Sequence, residues 1–406
     1  MTPLVILNGR LIHSDGIADG GVLIQNRQIA AIGKFEIPPN ATVIDAKGGL
    51  VAPGLVDLCS FAIDIPAFVA GGITRAGLMP DQSPPLDHAA LIQRAGQAGK
   101  PHVWISPIAA ATRGLDGLEL AELGLMKAAG AAAIATGRHW IPDSGVMYRL
   151  MAYATALDLL LISHAEDSGL VRHAVATDSE VATRLGLPSA PARAEAIAVA
   201  RDIALAEETG ARLHFRKLST AAAFDLVRSA KARGLRVTCG TTPAYLLLSD
   251  LAIGNFRTFT RLSPPLREEA DRQATLAALA DGTIDVLCSG HDPQGPEAKR
   301  LPFADAAPGM AGAETLLTLS LGLARDGVVD IPRLFTLLSA TPADLLGVPG
   351  HRLEVGAEAD LIIVDPDKPW RIVGEELAAS AGNTPFDGLP VQGKVLQTIK
   401  GGQPVG

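Results

Sequence analysis

The chain has 406 residues, 48% of them apolar, which allows one large domain with an appendage or two domains. Its net charge of −8 includes no basic block, which argues against nucleic acid and anionic membrane as partners. Three widely spaced cysteines argue against a disulfide framework, no apolar run reaches the roughly 18 residues of a membrane span, and the opening residues lack the basic and apolar regions of a signal peptide, so a cytoplasmic protein is expected.

Residues 1 to 50 alternate short apolar runs with turns: Leu4–Leu7, Gly21–Ile24, Ile29–Ile32 and Thr42–Ile44. Asn8-Gly9 and Asp19-Gly20 read as turns between them, so a small antiparallel sheet is expected. The same texture returns in Ala359–Asp365 and Lys394–Ile399. The two ends, 1–50 and 351–406, are therefore expected to build one composite β-sandwich around an inserted middle, 51–350.

That middle alternates apolar strands with helical stretches such as Glu119–Ala129 and Ala194–Thr209. The expected strands are Val51–Leu58, Gly72–Leu78, Val103–Pro107, Ala131–Ala135, Leu159–Ser163, Ala211–Arg216, Arg236–Cys239 and Ile284–Ser289. This α/β pattern predicts a (β/α)8 TIM-type barrel, in which chemistry sits at the C-terminal strand ends. The first connection is short. Only Phe61–Ala70, with Pro66 inside it, separates the first strand from the second.

The strand ends carry a resemblance. Val51-Ala52-Pro53-Gly54-Leu55-Val56-Asp57-Leu58-Cys59-Ser60-Phe61 resembles the first barrel strand of the amidohydrolases, in particular the dihydroorotase and hydantoinase branch. There the strand ends Asp-x-His-x-His and both histidines bind metal; Cys59 and Phe61 stand in their places. His164-Ala165-Glu166-Asp167 resembles the family's His-Cys-Glu-Asp, with His164 at a ligand position. His214-Phe215-Arg216-Lys217-Leu218-Ser219-Thr220 resembles His-x-x-His-x-Ser-Thr, but the second, ligating histidine is Lys217. Ala244 and Tyr245 follow Thr242-Pro243 where the family has histidine, and Ser263-Pro264-Pro265-Leu266-Arg267 resembles Asn-Pro-Pro-Leu-Arg. Near the eighth strand, Gly290 takes the place of the aspartate that serves as ligand and general base, and His291 remains. The fourth strand ends Thr136-Gly137-Arg138 with no acidic or carboxylated group, and Asp143 beyond it reads as a helix N-cap.

The resemblance implies a zinc-dependent cyclic amidohydrolase. A catalytic zinc usually takes three protein ligands and activates a bound water, and a nearby carboxylate accepts the water's proton. With most ligands and the base replaced, the expectation is a non-catalytic pseudo-dihydroorotase of pyrimidine biosynthesis, without metal. Its expected assembly is a homo-oligomer and structural partner of aspartate transcarbamoylase. The remnant cleft comprises Cys59, His164, Lys217, Ser263 and His291. Lys217 is expected to place its charge where the metal would sit and to pair with a carboxylate. One alternative is an active enzyme with a single zinc held by Cys59, His164 and a second cysteine or His291. Another is a regulator whose cleft holds a small anionic pyrimidine through His164, Arg216, Lys217 and His291.

Overall fold

The computed structural model describes residues 2–405; residues 1 and 406, placed by expectation in the terminal domain, lie outside them. The chain ends build one hydrogen-bonded sheet. Its order runs Gln403–Val405, Pro390–Lys400, Leu361–Arg371, Leu50–Pro53, Leu4–His13, Gly16–Gln25, Gln28–Gly33, and Thr42–Asp45 also pairs with Leu4–His13. Leu4, Ile6, Val22, Ile24, Leu361 and Ile363 bury the apolar side of these strands in a core of their own.

Two expected turns are corrected. Asn8-Gly9 and Asp19-Gly20 lie inside continuous strands, and the hairpin turns instead at Ser14-Asp15, between His13 and its partner Gly16. The ladder shifts register between Ile6 and Gly9, with Asn8 at φ 54°, so the Asn-Gly pair makes a bulge rather than a reversal. Gly9 is needed for close packing, because a Cβ there would lie 2.5 Å from Val51 Cγ2.

The middle forms a parallel eight-stranded sheet in sequential order: Leu55–Ser60, Ile73–Leu78, Trp104–Ala110, Ala133–Ala135, Leu160–Ser163, Arg212–Phe215, Val237–Thr241 and Val286–Leu287. Helices including Ala89–Gln97, Ser144–Ala156, Arg193–Thr209, Ala221–Ala232 and Glu269–Ala280 connect the strands. The last strand meets the first through a parallel bridge between Ser60 and His291 and through Phe61 N–H donating to His291 O at 2.8 Å. Asp57 reinforces this seam. Its buried carboxylate accepts from Ser289 N–H at 2.9 Å and from the Ser289 hydroxyl.

The run 51–58, expected as a single barrel strand, is divided. Leu50–Pro53 belongs to the terminal sheet and Leu55–Ser60 to the barrel. Gly54 is the hand-over: its N–H donates to Asp360 O at 2.8 Å, and an added Cβ would lie 2.3 Å from Thr74 Oγ1. The short first connection holds one six-residue helix, Ile65–Ala70, with Pro66 in its first turn, where a missing N–H does no harm. Asp143 does cap the helix Ser144–Ala156, accepting from Val146 N–H at 2.8 Å. Among the described residues no helix is long and apolar enough to cross a membrane.

Candidate functional site

The C-terminal strand ends converge on Phe61. Its ring lies against three cationic heads: Arg138 Cζ at 4.1 Å, Arg216 Cζ at 5.0 Å and Lys217 Nζ at 5.4 Å from the ring centroid. Cations seat on an aromatic face because the ring's quadrupole is negative there. Phe61, Arg138, Arg216, Lys217, Thr242, Ser263, Gly290, Asp292 and Met310 border a cavity of about 20 Å³. A larger space of about 230 Å³ adjoins it across Arg138, Leu262, Ser263 and Pro308, and extends to Trp140, His164, Glu166 and Arg261.

Each cation is held differently. Arg138 makes a two-pronged contact with the Asp292 carboxylate, 3.0 Å on the Nη2 side, and its backbone N–H donates to Asp81 Oδ1 at 2.8 Å. Arg216 is 2% exposed. It donates through Nη2 to Gly137 O at 3.0 Å, its Nη1 lies 4.0 Å from Cys59 Sγ, and its Nε has no hydrogen-bond partner among the described residues. Lys217 Nζ donates to Ser263 O at 2.6 Å. Burial, followed by Arg216, lowers the Lys217 pKa to about 8. The carboxylate expected beside Lys217 is absent among the described residues. Asp292 is committed to Arg138, Gly290 has no side chain to offer, and a backbone carbonyl takes the ammonium instead.

The remaining expected residues divide between the cleft and the interior. His164 borders the larger space with its Nε2 3.4 Å from Glu166 Oε2, and burial pushes its pKa down to about 4, so it is neutral at pH 7. Glu166 is drawn in turn to Arg267, 2.8 Å away. Ser263 lines the cleft and contributes its carbonyl. His291 borders neither space. It is fully buried, its Nδ1 accepts from Ala313 N–H at 3.2 Å, and its Nε2 lies 3.3 Å from Asp64 Oδ2, outside good hydrogen-bond geometry. His214 is also interior, paired through Nδ1 with Thr238 Oγ1 at 2.9 Å.

Cys59 and Cys288 are buried, with the Cys288 thiol facing Thr241 O at 3.5 Å and Arg216 O at 3.7 Å. The neighbouring Cys288 thiol and the nearby Arg216 and Lys217 charges lower the Cys59 pKa to about 7 against the opposing effect of burial, while Cys288 is pushed up. Cys239 lies apart, with its Sγ 3.3 Å from Thr283 O.

Comparison with known proteins gives these strand ends their context. Residues 48–223 match the family described as Dihydro-orotase-like. The chain is 39% identical over 418 residues to the dihydroorotase of Syntrophotalea carbinolica, covering 98% of each, and 38% identical over 419 residues to that of Citrifermentans bemidjiense, covering 99% of each. This chain belongs to the dihydroorotase-like family of the amidohydrolase superfamily. Its fold matches L-hydantoinase from Arthrobacter aurescens with TM-score 0.89 and 25% identity over 100% of this chain and 96% of that one. Dihydropyrimidinase from Brevibacillus agri matches with TM-score 0.85 at 22% identity over 100% of this chain and 95% of that one, a likeness of fold alone.

A zinc centre of the kind this family resemblance implies does not fit the residues present. Among the described residues no three His, Cys, Asp or Glu side chains converge on a common point. Two expected ligand positions hold a phenyl ring and a lysine, and Arg216 lies against the one thiol with a depressed pKa. The position expected to hold the family's aspartate is Gly290 at φ 57°, where an added Cβ would lie 3.1 Å from Thr242 Cγ2.

The sequence reading passed over two residues of this site. Arg138 is visible in the sequence only as the residue at the fourth strand end, and Asp292 only as the neighbour of His291. They are 154 residues apart in the chain and joined by the barrel. A phenylalanine at a ligand position was the available signal, since a ring face in a polar strand-end cluster is a seat for cations.

Proposed function

We propose that this dihydroorotase-like protein serves pyrimidine biosynthesis without hydrolysing its own substrate, as a homo-oligomeric structural partner of aspartate transcarbamoylase. The observation that supports this reading is the exchange at the barrel mouth. Phe61, Lys217 and Gly290 occupy the places of two ligands and the general base, and three cations surround the Phe61 ring. Positive charge gathered there opposes a divalent cation, and Gly290 supplies no carboxylate to accept a proton from water. The partnership with aspartate transcarbamoylase rests on the family resemblance, and it requires a rigid barrel rather than a metal.

The curated relatives favour a second reading. The relatives from Syntrophotalea carbinolica and Citrifermentans bemidjiense both carry the name dihydroorotase and align with 98% and 99% of this chain. On that reading the chain is an active cyclic amidohydrolase with a reduced mononuclear zinc site at Cys59, His164 and a second cysteine or His291. Zinc per chain, measured by mass spectrometry on protein purified without chelator, separates the two when combined with a dihydroorotate hydrolysis assay. Near-zero zinc, no turnover and a complex with aspartate transcarbamoylase in gel filtration support the first. About one zinc per chain, lost in Cys59→Ser or His164→Ala together with measurable turnover, establishes the second.

A further inference from the structure

We infer that the cleft is a carboxylate-binding site: a small organic anion seats its carboxylate among Arg216, Lys217 and Thr242 over the Phe61 ring, with its body in the adjoining space. Three observations meet at this point. The first is charge. Arg216 and Lys217 have no carboxylate within ion-pair distance among the described residues, whereas Arg138 has Asp292 and Arg267 has Glu166. In a chain of net charge −8, this pair of cations has only the Cys59 thiol, 4.0 Å from Arg216, as an ionisable acidic neighbour, which leaves a place for a negative ligand.

The second is hydrogen bonding. Arg216 Nε and Thr242 Oγ1 are both buried without a hydrogen-bond partner among the described residues, and both residues line the same small cavity. Buried polar atoms are normally satisfied, so two orphans carried by residues that line one space point to a ligand that satisfies them. Arg261 Nε is a third such atom, and Arg261 lines the larger space next door. The orphaned acceptor Asp81 Oδ2 belongs to a residue that lines neither space.

The third is shape. The inner cavity, about 20 Å³, is about the size one water needs, so only the tip of a head group enters it. Its wall opens onto the space of about 230 Å³ bordered by Trp140, His164 and Pro265, which takes the remainder of a small molecule. An inward-facing guanidinium and a neighbouring ammonium give charge-assisted donors, which prefer carboxylate oxygens to neutral ones.

This inference rests on the metal-free reading at one point, since a divalent cation beside Lys217 would compete for the head group. The test therefore uses full-length protein with its zinc content measured before and after chelation. The chelated protein is titrated calorimetrically with succinate, its uncharged analogue succinamide, and inorganic phosphate. Saturable binding of succinate and none of succinamide is expected. Lys217→Met should weaken succinate by about tenfold or more, the effect of deleting one charged donor. Thr242→Val should weaken it by less. Arg216→Met serves only if circular dichroism shows native structure, because Arg216 also holds Gly137 O.

Affinity should fall as pH rises from about 7 through about 8, as the Cys59 thiol beside Arg216 gains a negative charge and Lys217 loses its proton, with Cys288 and Asp292 also facing it. Lys217→Met should remove the part of that fall near pH 8. The inference is overturned by an absence of succinate binding at millimolar concentration, by equal binding of succinamide, by unchanged affinity in Lys217→Met, or by binding of phosphate alone. A zinc-replete protein whose chelated form still binds succinate through Lys217 would overturn the metal-free reading and leave this one standing.

Discussion

Replacing Phe61 by leucine tests whether the ring face, rather than the bulk of the side chain, holds the barrel mouth together. Leucine keeps most of the buried apolar volume and removes the quadrupole against which three cations lie. A change of shape between buried apolar residues costs under about 1.5 kcal/mol. The cation contacts add to this. Arg138 is 35% exposed, so its contact at 4.1 Å is screened and worth about 0.5–1 kcal/mol. Arg216 is buried and sits at 5.0 Å, which places it nearer about 1–2 kcal/mol. Lys217 at 5.4 Å is the most distant and contributes about 0.5 kcal/mol. The expected total for Phe61→Leu is about 2–5 kcal/mol, read as a lower urea midpoint at unchanged slope. A double-mutant cycle with Lys217→Met should return a coupling of about 0.5 kcal/mol. A loss below about 1.5 kcal/mol, the shape change alone, with no coupling to Lys217, would refute the assignment of the ring as a cation platform.

The other expectations concern the scaffold beneath the cleft. Asp57→Ala leaves the Ser289 N–H and hydroxyl unsatisfied at the seam between the first and last strands, a loss of about 2–6 kcal/mol by urea denaturation. Burial lowers the His214 pKa to about 3, so the folded protein resists protonating it. The stability this gives is complete above pH 6.5 and is lost as pH falls from 6.5 toward 3. His214→Asn should flatten the dependence of the urea midpoint on pH across that window, and an unchanged slope would contradict the assignment. All three cysteines are buried, so a thiol reagent should label none in the folded protein at pH 7 and three per chain in urea, despite the Cys59 pKa of about 7. Rapid native labelling of Cys59 would show that the seam opens.

Much of the architecture was legible because a strand buried on both faces is a short apolar run between breakers. The runs around 73–78, 160–163 and 212–215 carry that signal plainly. The hand-over at Gly54 was hidden for the same reason. Leu50–Pro53 and Leu55–Ser60 are both fully buried, and composition does not distinguish two buried strands from one. Asn8-Gly9 carried a turn signal, but Val51 packs so close to Gly9 that the glycine serves an approach rather than a reversal. At the site, motif spacing located the strand ends and left the direction of each side chain open. His291 adjoins Gly290 and Asp292, which border the cleft, yet its own ring turns inward to Ala313 and Asp64. The partner of Lys217 could not be foreseen, because a backbone carbonyl has no residue type to announce it.

The replacements at the barrel mouth support one another. A divalent ion in a family site draws in anionic and neutral donors, so removing its ligands one at a time would leave carboxylates and carbonyls facing each other without a cation. Here the acceptors have protein-borne cations. Asp292 takes Arg138, Gly137 O takes Arg216, and Ser263 O takes Lys217. Phe61 offers a ring face to all three heads. Each side chain alone is a poor substitute for a metal ligand, but together they satisfy three acceptors at the barrel mouth. The one requirement they do not meet is their own. Arg216 Nε and Thr242 Oγ1 still lack a partner among the described residues, and the charges of Arg216 and Lys217 lie beside them. A carboxylate meets both needs at once.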